Sequence, residues 1–265
     1  MEQAKVAIIG CGNLGISIAN GLLGNAAYTG PELIATRRHL APLEALRARG
    51  VQLSTDNREA AVYADVLLLG LKPYNVVSVA RELVEVLDPK RHIAVSLATG
   101  ITVADIQQAV GPDIPVFRAM PNTAADVRAS MTCLSSTCTD PAKVQAVQQL
   151  FAAIGTTLMI DEELMGSATV LGACGIAYVL RFIRAMVQGG IEIGFDAESA
   201  SLIVNQTVKG AVELLIERGR HPEEEIDKVT TPKGCTIVGL NTMEHHGFSS
   251  SLIRGLVASA DKIGH

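Results

Sequence analysis

Short apolar runs alternate with helical patterns from residue 5 to residue 160. The runs 5–9, 32–36, 66–70, 92–97, 115–119, 131–135 and 156–160 are bounded by Gly, Pro or polar clusters, which predicts strands. Between them Asn13–Leu23, 42–49, 75–86, 102–110 and 141–153 read as helices. Strands alternating with helices of this length imply βαβ units and a mostly parallel sheet. Beyond Asp161 no strand pattern recurs, and 168–191, Ala197–Arg218, 221–229, 237–246 and 249–262 all read as helices. In Ala197–Arg218 the positions Ala200, Ile203, Val204, Thr207, Ala211 and Leu214 recur at three and four. The 168–191 helix is apolar on more than one side, broken only by Arg181 and Arg184, so a partner subunit is expected to cover it.

Composition narrows this picture. The chain has 265 residues, is 48% hydrophobic and only 3% aromatic, so its core is mainly Ala, Val, Leu and Ile. The formal charge of −5 comes without a basic stripe, which argues against nucleic acid as a partner. No uninterrupted apolar run reaches the roughly 18 residues of a membrane span. The first apolar stretch ends in a glycine turn and reads as a strand rather than a secretory leader. A cytoplasmic protein with no membrane partner is expected. The five cysteines form no C-x-x-C pair and are expected to be reduced thiols. The neighbours His245 and His246 point to different helix faces, and no metal is expected.

The chemistry begins at "VAIIGCGNLG", where Gly10, Gly12 and Gly15 form G-x-G-x-x-G between a strand and a helix. Gly10 permits the tight turn, Gly12 lets a pyrophosphate approach the backbone, and Gly15 lets helix and strand pack closely. The fold class is therefore α/β: an N-terminal Rossmann-type dinucleotide-binding domain, 1–161, and a C-terminal all-α dimerisation domain, 162–265. The second strand ends "ATRR", with no carboxylate to read a ribose. Arg37 and Arg38 suit a 2′-phosphate instead, which favours NADP(H) and leaves NAD(H) open. Further turn-forming residues follow later strands: Lys72 and Pro73 in "LGLKP", Ala98, Thr99 and Gly100 in "SLATG", and Met120, Pro121 and Asn122 in "FRAMPNT". They share the place where an open α/β sheet binds ligands. The late stretch "VTTPKGCTIVGL" packs Thr, Pro, Gly and Cys into a turn, with N–H groups for an anion and the Thr236 hydroxyl for reacting atoms.

In this order the motifs resemble the pyrroline-5-carboxylate reductase family, over nearly the whole chain. "AMPNT" and the late T-P-x-G-x-T-I loop are the distinctive pieces. The resemblance implies NAD(P)H-dependent reduction of the C=N bond of 1-pyrroline-5-carboxylate to L-proline. It implies dinucleotide contacts from Ile9, Gly10, Cys11, Gly12, Asn13 and Leu14, then Thr36, Arg37 and Asn57, then Leu71, Lys72 and Pro73, with Ala98 beyond. It implies a cyclic imine held by Gly234, Cys235, Thr236 and Glu162, with Thr236 the catalytic residue near the ring nitrogen. It also implies a homodimer or higher oligomer through the C-terminal helices, each pocket using two chains.

Two departures bear on the substrate. Lys233 stands where the family's S-P-G-G-x-T loop has its first glycine, and Ile176 stands where the family commonly has proline. They keep open the reduction of a related cyclic imine acid, and a non-catalytic NADP-binding oligomer. A β-hydroxyacid dehydrogenase would need a catalytic helix lysine; Lys209 in "NQTVKG" sits in a motif that does not match.

Overall fold

The computed structural model describes residues 4–26 and 28–263. Eight strands form one sheet: β1 Val6–Ile9, β2 Leu33–Thr36, β3 Gln52–Ser54, β4 Val66–Leu69, β5 Ile93–Ser96, β6 Val116–Met120, β7 Ser130–Ser136 and β8 Gly155–Met159. Their order is β3-β2-β1-β4-β5-β6-β7-β8. All neighbours are parallel except β6 and β7. The helices among them are α1 Asn13–Leu23, α2 Glu44–Arg47, α3 Asn57–Tyr63, α4 Pro73–Leu83, α5 Val103–Val110 and α6 Pro141–Ala152.

Both sheet faces are covered, which is why β1 and β4 are continuous apolar runs, β2 and β5 depart from this only at their last residues Thr36 and Ser96, and every residue of the four is buried. Ile8, Leu68, Val95 and Phe117 pack on one face with Ile18 and Leu22 of α1 and Phe151 of α6. Ile9, Leu67, Leu69 and Val116 pack on the other with Ala60 of α3, Val76 of α4 and Ile106 of α5. The strand order turns around between β1 and β4, and an open sheet leaves its ligand crevice above such a point.

The chain divides into two compact units, one running to Ile176 and taking in the chain from Ala260, the other Ala177–Ser259. The remaining helices are α7 Met165–Ala168, α8 Gly175–Glu192, α9 Ala197–Arg218, α10 Pro222–Lys228, α11 Cys235–His245 and α12 Phe248–Ile263. A π-helical stretch, Thr169–Cys174, joins α7 to α8. In the second unit Tyr178 and Ser259 share a hydrogen bond of 2.6 Å between α8 and α12, and the rings of Phe182 and Phe248 lie 6.2 Å apart. Much of this unit's apolar surface stays exposed, including Leu180, Leu202, Ile216 and Ile253. The stretch Glu162–Glu192 is long and apolar enough, by length and composition, to cross a membrane. No uninterrupted apolar run has that length, because charged residues such as Arg181 and Arg184 lie within it.

Some elements differ from expectation. The edge strand β3 and helix α3 are additional, and most of the 42–49 stretch is a short 3-10 turn followed by the four residues of α2. Helix α11 starts at Cys235, two residues before the expected Ile237, which puts Cys235 and Thr236 in its first turn.

Candidate active site

A cleft of about 880 Å³ opens above the carboxyl ends of β1, β2 and β4. Its floor is the glycine loop, where Gly10 and Gly15 each have a steric reason. Gly10 adopts φ +80°, and a Cβ there would lie 2.4 Å from Leu71 Cδ2. At Gly15 a Cβ would press on Ile8 and on Cys11 Sγ at 3.0 and 3.1 Å, so its absence lets α1 sit close on β1. At Gly12 a Cβ would meet nothing within 4 Å. That open space is a cradle beside a helix start, and it fits a pyrophosphate. No side chain caps α1, so the N–H groups of its first turn remain free for an anion.

Hydrogen bonds fix the loop's shape. Cys11 N–H donates to Thr36 O at 2.8 Å, and Gly10 N–H to Thr36 Oγ1 at 3.2 Å. Thr36 Oγ1 in turn donates to Asn57 Oδ1 at 2.6 Å. The tip of β2 is thus tied to the glycine loop on one side and to α3 on the other. Arg37 Nη1 donates to Cys11 O at 3.4 Å, which holds the guanidinium over the loop. Burial pushes the Cys11 thiol up to about 12, against the opposing pull of Arg37, so it stays protonated. Its role there is packing.

Of the residues expected at the dinucleotide, Gly10, Cys11, Gly12, Asn13, Leu14, Thr36, Arg37, Asn57, Leu71 and Lys72 line this one cleft. Ile9, Pro73 and Ala98 do not line it. Ile9 is a fully buried core residue of β1. Pro73 opens α4, where its missing N–H costs nothing. Ala98 is buried, its N–H donating to Ser96 Oγ at 3.3 Å, and the neighbouring Leu97 reaches the cleft in its place. The cleft also holds residues not anticipated. His39 follows Arg37 and Arg38, so three potentially cationic side chains in a row border the tip of β2. Asn75, Ser78, Val79 and Glu82 form one stripe of α4 at helical spacing.

Glu162 lies elsewhere in the first unit, in a hollow of about 620 Å³ with Thr102, Arg118, Asp161 and Glu163. Its Oε1 accepts from Arg118 Nη1 at 3.0 Å and from Val103 N–H at 2.7 Å. Gly234, Cys235 and Thr236 belong to the second unit. Gly234 N–H donates to Thr231 O at 2.9 Å. Helix α11 has no side-chain cap, so the N–H groups of Cys235 and Thr236 are the available ones. The preceding Lys233 is exposed and adopts φ +61°.

Comparison with known proteins gives the family. A profile described as "Pyrroline-5-carboxylate reductase dimerisation" matches residues 162–265. Another, "NADP oxidoreductase coenzyme F420-dependent", matches residues 5–100. Pyrroline-5-carboxylate reductase 2 of Dictyostelium discoideum is 41% identical over 98% of this chain and 92% of its own length. Pyrroline-5-carboxylate reductase 1 of the same organism is 42% identical over 97% of this chain, which spans only 49% of that relative. The crystal structure of Plasmodium falciparum pyrroline carboxylate reductase with NADP bound shares the fold. Its TM-score is 0.90 at 24% identity, covering 99% of this chain and 98% of the other.

Proposed function

The chain belongs to the pyrroline-5-carboxylate reductase family of oxidoreductases, and we propose that it reduces the C=N bond of 1-pyrroline-5-carboxylate to L-proline, with NADPH preferred and NADH an alternative donor. The single observation that carries the cofactor half is the cleft. An open cradle at Gly12 meets an uncapped helix start, and the tip of β2 offers Arg37, Arg38 and His39 with no carboxylate. Bound NADPH supplies the hydride; the protein's share is holding and orienting both reactants.

The first-turn N–H groups of α1 face the pyrophosphate, with the helix dipole of favourable sign. Arg37 and Arg38 hold the 2′-phosphate. The first-turn N–H groups of Cys235 and Thr236 hold the substrate carboxylate in the same way at α11. The Thr236 hydroxyl hydrogen-bonds the ring nitrogen, orienting the imine so that its carbon faces the donor. The helical domain 162–265 forms a homodimer or larger assembly, and the setting is cytoplasmic, which suits five unpaired cysteines.

The test is NADPH oxidation, followed by absorbance, with 1-pyrroline-5-carboxylate and then with a six-membered cyclic imine acid. The expected result is turnover on the five-membered ring, more efficient with NADPH than with NADH. Turnover on the larger ring alone would move the substrate. Stoichiometric NADPH binding with no oxidation on either imine would make the chain a nucleotide-binding oligomer instead.

A further inference from the structure

Resting on that reading for the cofactor, we infer that Glu162 is a positioning residue. Its carboxylate clamps the loop 97–102 beside the nicotinamide end of the cleft. The geometry is a small closed network. Arg118 projects from β6 and is 93% buried at its side chain, paired with Glu162 at 3.0 Å. The same Glu162 oxygen accepts the N–H of Val103, the first residue of α5. Thr102 caps that helix, donating to Asp105 and accepting from its N–H. Those bonds, with help from Arg118, hold the Asp105 carboxyl below its usual range. The start of α5 is therefore fixed by charge from two other elements.

What the clamp governs follows from strand order. The loop 97–102 runs from the end of β5 to the start of α5. Its first residue, Leu97, lines the dinucleotide cleft, and its Gly100 takes φ +76°. The arginines lie over β2 and the glycine loop over β1, so a dinucleotide laid across them carries its nicotinamide towards β4 and β5. The clamp therefore acts on one end of the cofactor only. A second tie of the same kind joins Asn122, just past β6, to Gly172 O in the π-helical stretch at 3.1 Å.

Glu162→Gln removes the charge, and Val103→Pro removes the donor at a helix position that tolerates proline, touching neither Glu162 nor Arg118. For both we expect NADPH to bind about tenfold more weakly, the scale of one lost charge-assisted hydrogen bond. Binding of 2′,5′-ADP, which carries only the adenosine end, should stay within about twofold, and the KM for the imine should not change. Combining Glu162→Gln with Arg118→Lys should add nothing to the larger single effect, because both break one network. The clamp is overturned by equal weakening of both nucleotides, by a raised imine KM with nucleotide binding intact, or by no change at all. If wild-type protein binds NADPH but reduces no imine, the substrate assignment fails while the two nucleotide measurements still decide the clamp.

Discussion

The proposed cofactor preference turns on Arg37. Its guanidinium is anchored over Cys11 O and borders the cleft with Arg38 and His39, where a ribose-reading carboxylate would otherwise stand. Arg37→Ala should therefore weaken NADPH by about tenfold or more and NADH far less, as read by titration of each nucleotide. An equal loss for both would detach Arg37 from the 2′-phosphate. Thr236→Ala should lower kcat about ten- to a hundredfold while leaving NADPH affinity intact, the scale of one positioned hydrogen bond. Unchanged turnover would remove the hydroxyl from the mechanism. The glycine loop was legible in the sequence because each of its roles is a local steric demand, met by three glycines within six positions. The task of Glu162 was not, since its partners lie 44 and 59 residues away along the chain. The left-handed backbone at Lys233 is one that glycine adopts freely, and the exposed lysine bears a strain of about 1 kcal/mol.

Among the elements, α1 packs closely on its neighbours in the first unit. A Cβ at Gly21 would lie 2.1 Å from Ala125 O and 2.9 Å from Ile154 Cγ2. Gly21→Ala gains about 1 kcal/mol of helix propensity in isolation, but the backbone contact cannot yield cheaply. The variant should lose about 2 kcal/mol or more of stability in denaturant unfolding, and a more stable variant would refute the contact. His92 joins two further elements at the start of β5. It is buried, its Nδ1 accepting from Asp88 N–H at 2.7 Å and its Nε2 donating to Ala61 O of α3 at 3.0 Å. Burial holds its pKa below the ordinary 6.5. The unfolded chain then takes up a proton first as pH falls, so this contribution is complete above 6.5 and is lost as pH drops below it, by at most about 1.4 kcal/mol per pH unit. Thermal melts between pH 7.5 and 5 should fall more steeply for wild type than for His92→Gln; parallel curves would exclude His92. The cleft stripe on α4 escaped sequence reasoning because Asn75, Ser78 and Glu82 look like an ordinary solvated face. Strand β3 escaped it because three residues are too few to show a period.

For the whole molecule, the unsolved quantity in a single chain is its exposed apolar surface. Leu180, Leu202, Ile216 and Ile253 are between 58% and 76% exposed, and the first of them lies in a helical stretch apolar enough to cross a bilayer. Two environments could cover such a surface. Arg181 and Arg184 lie in the middle of the stretch and are exposed, which is costly in hydrocarbon but ordinary at a protein interface. The dimerisation profile over 162–265 supports the second environment. This much was legible as helical period and wide apolar faces, whereas the pairing of faces depends on a second chain that no single sequence pattern contains. Leu180→Glu places a charge on that surface, and burying it unpaired would cost several kcal/mol, on the order of the penalty for an isolated buried ion. Sedimentation should show the variant shifted to monomer at micromolar concentration, with NADPH still bound by the first unit and imine turnover lost. A variant that keeps the wild-type assembly would place Leu180 outside the interface, and wild-type protein that floats with liposomes would return the helix to the membrane.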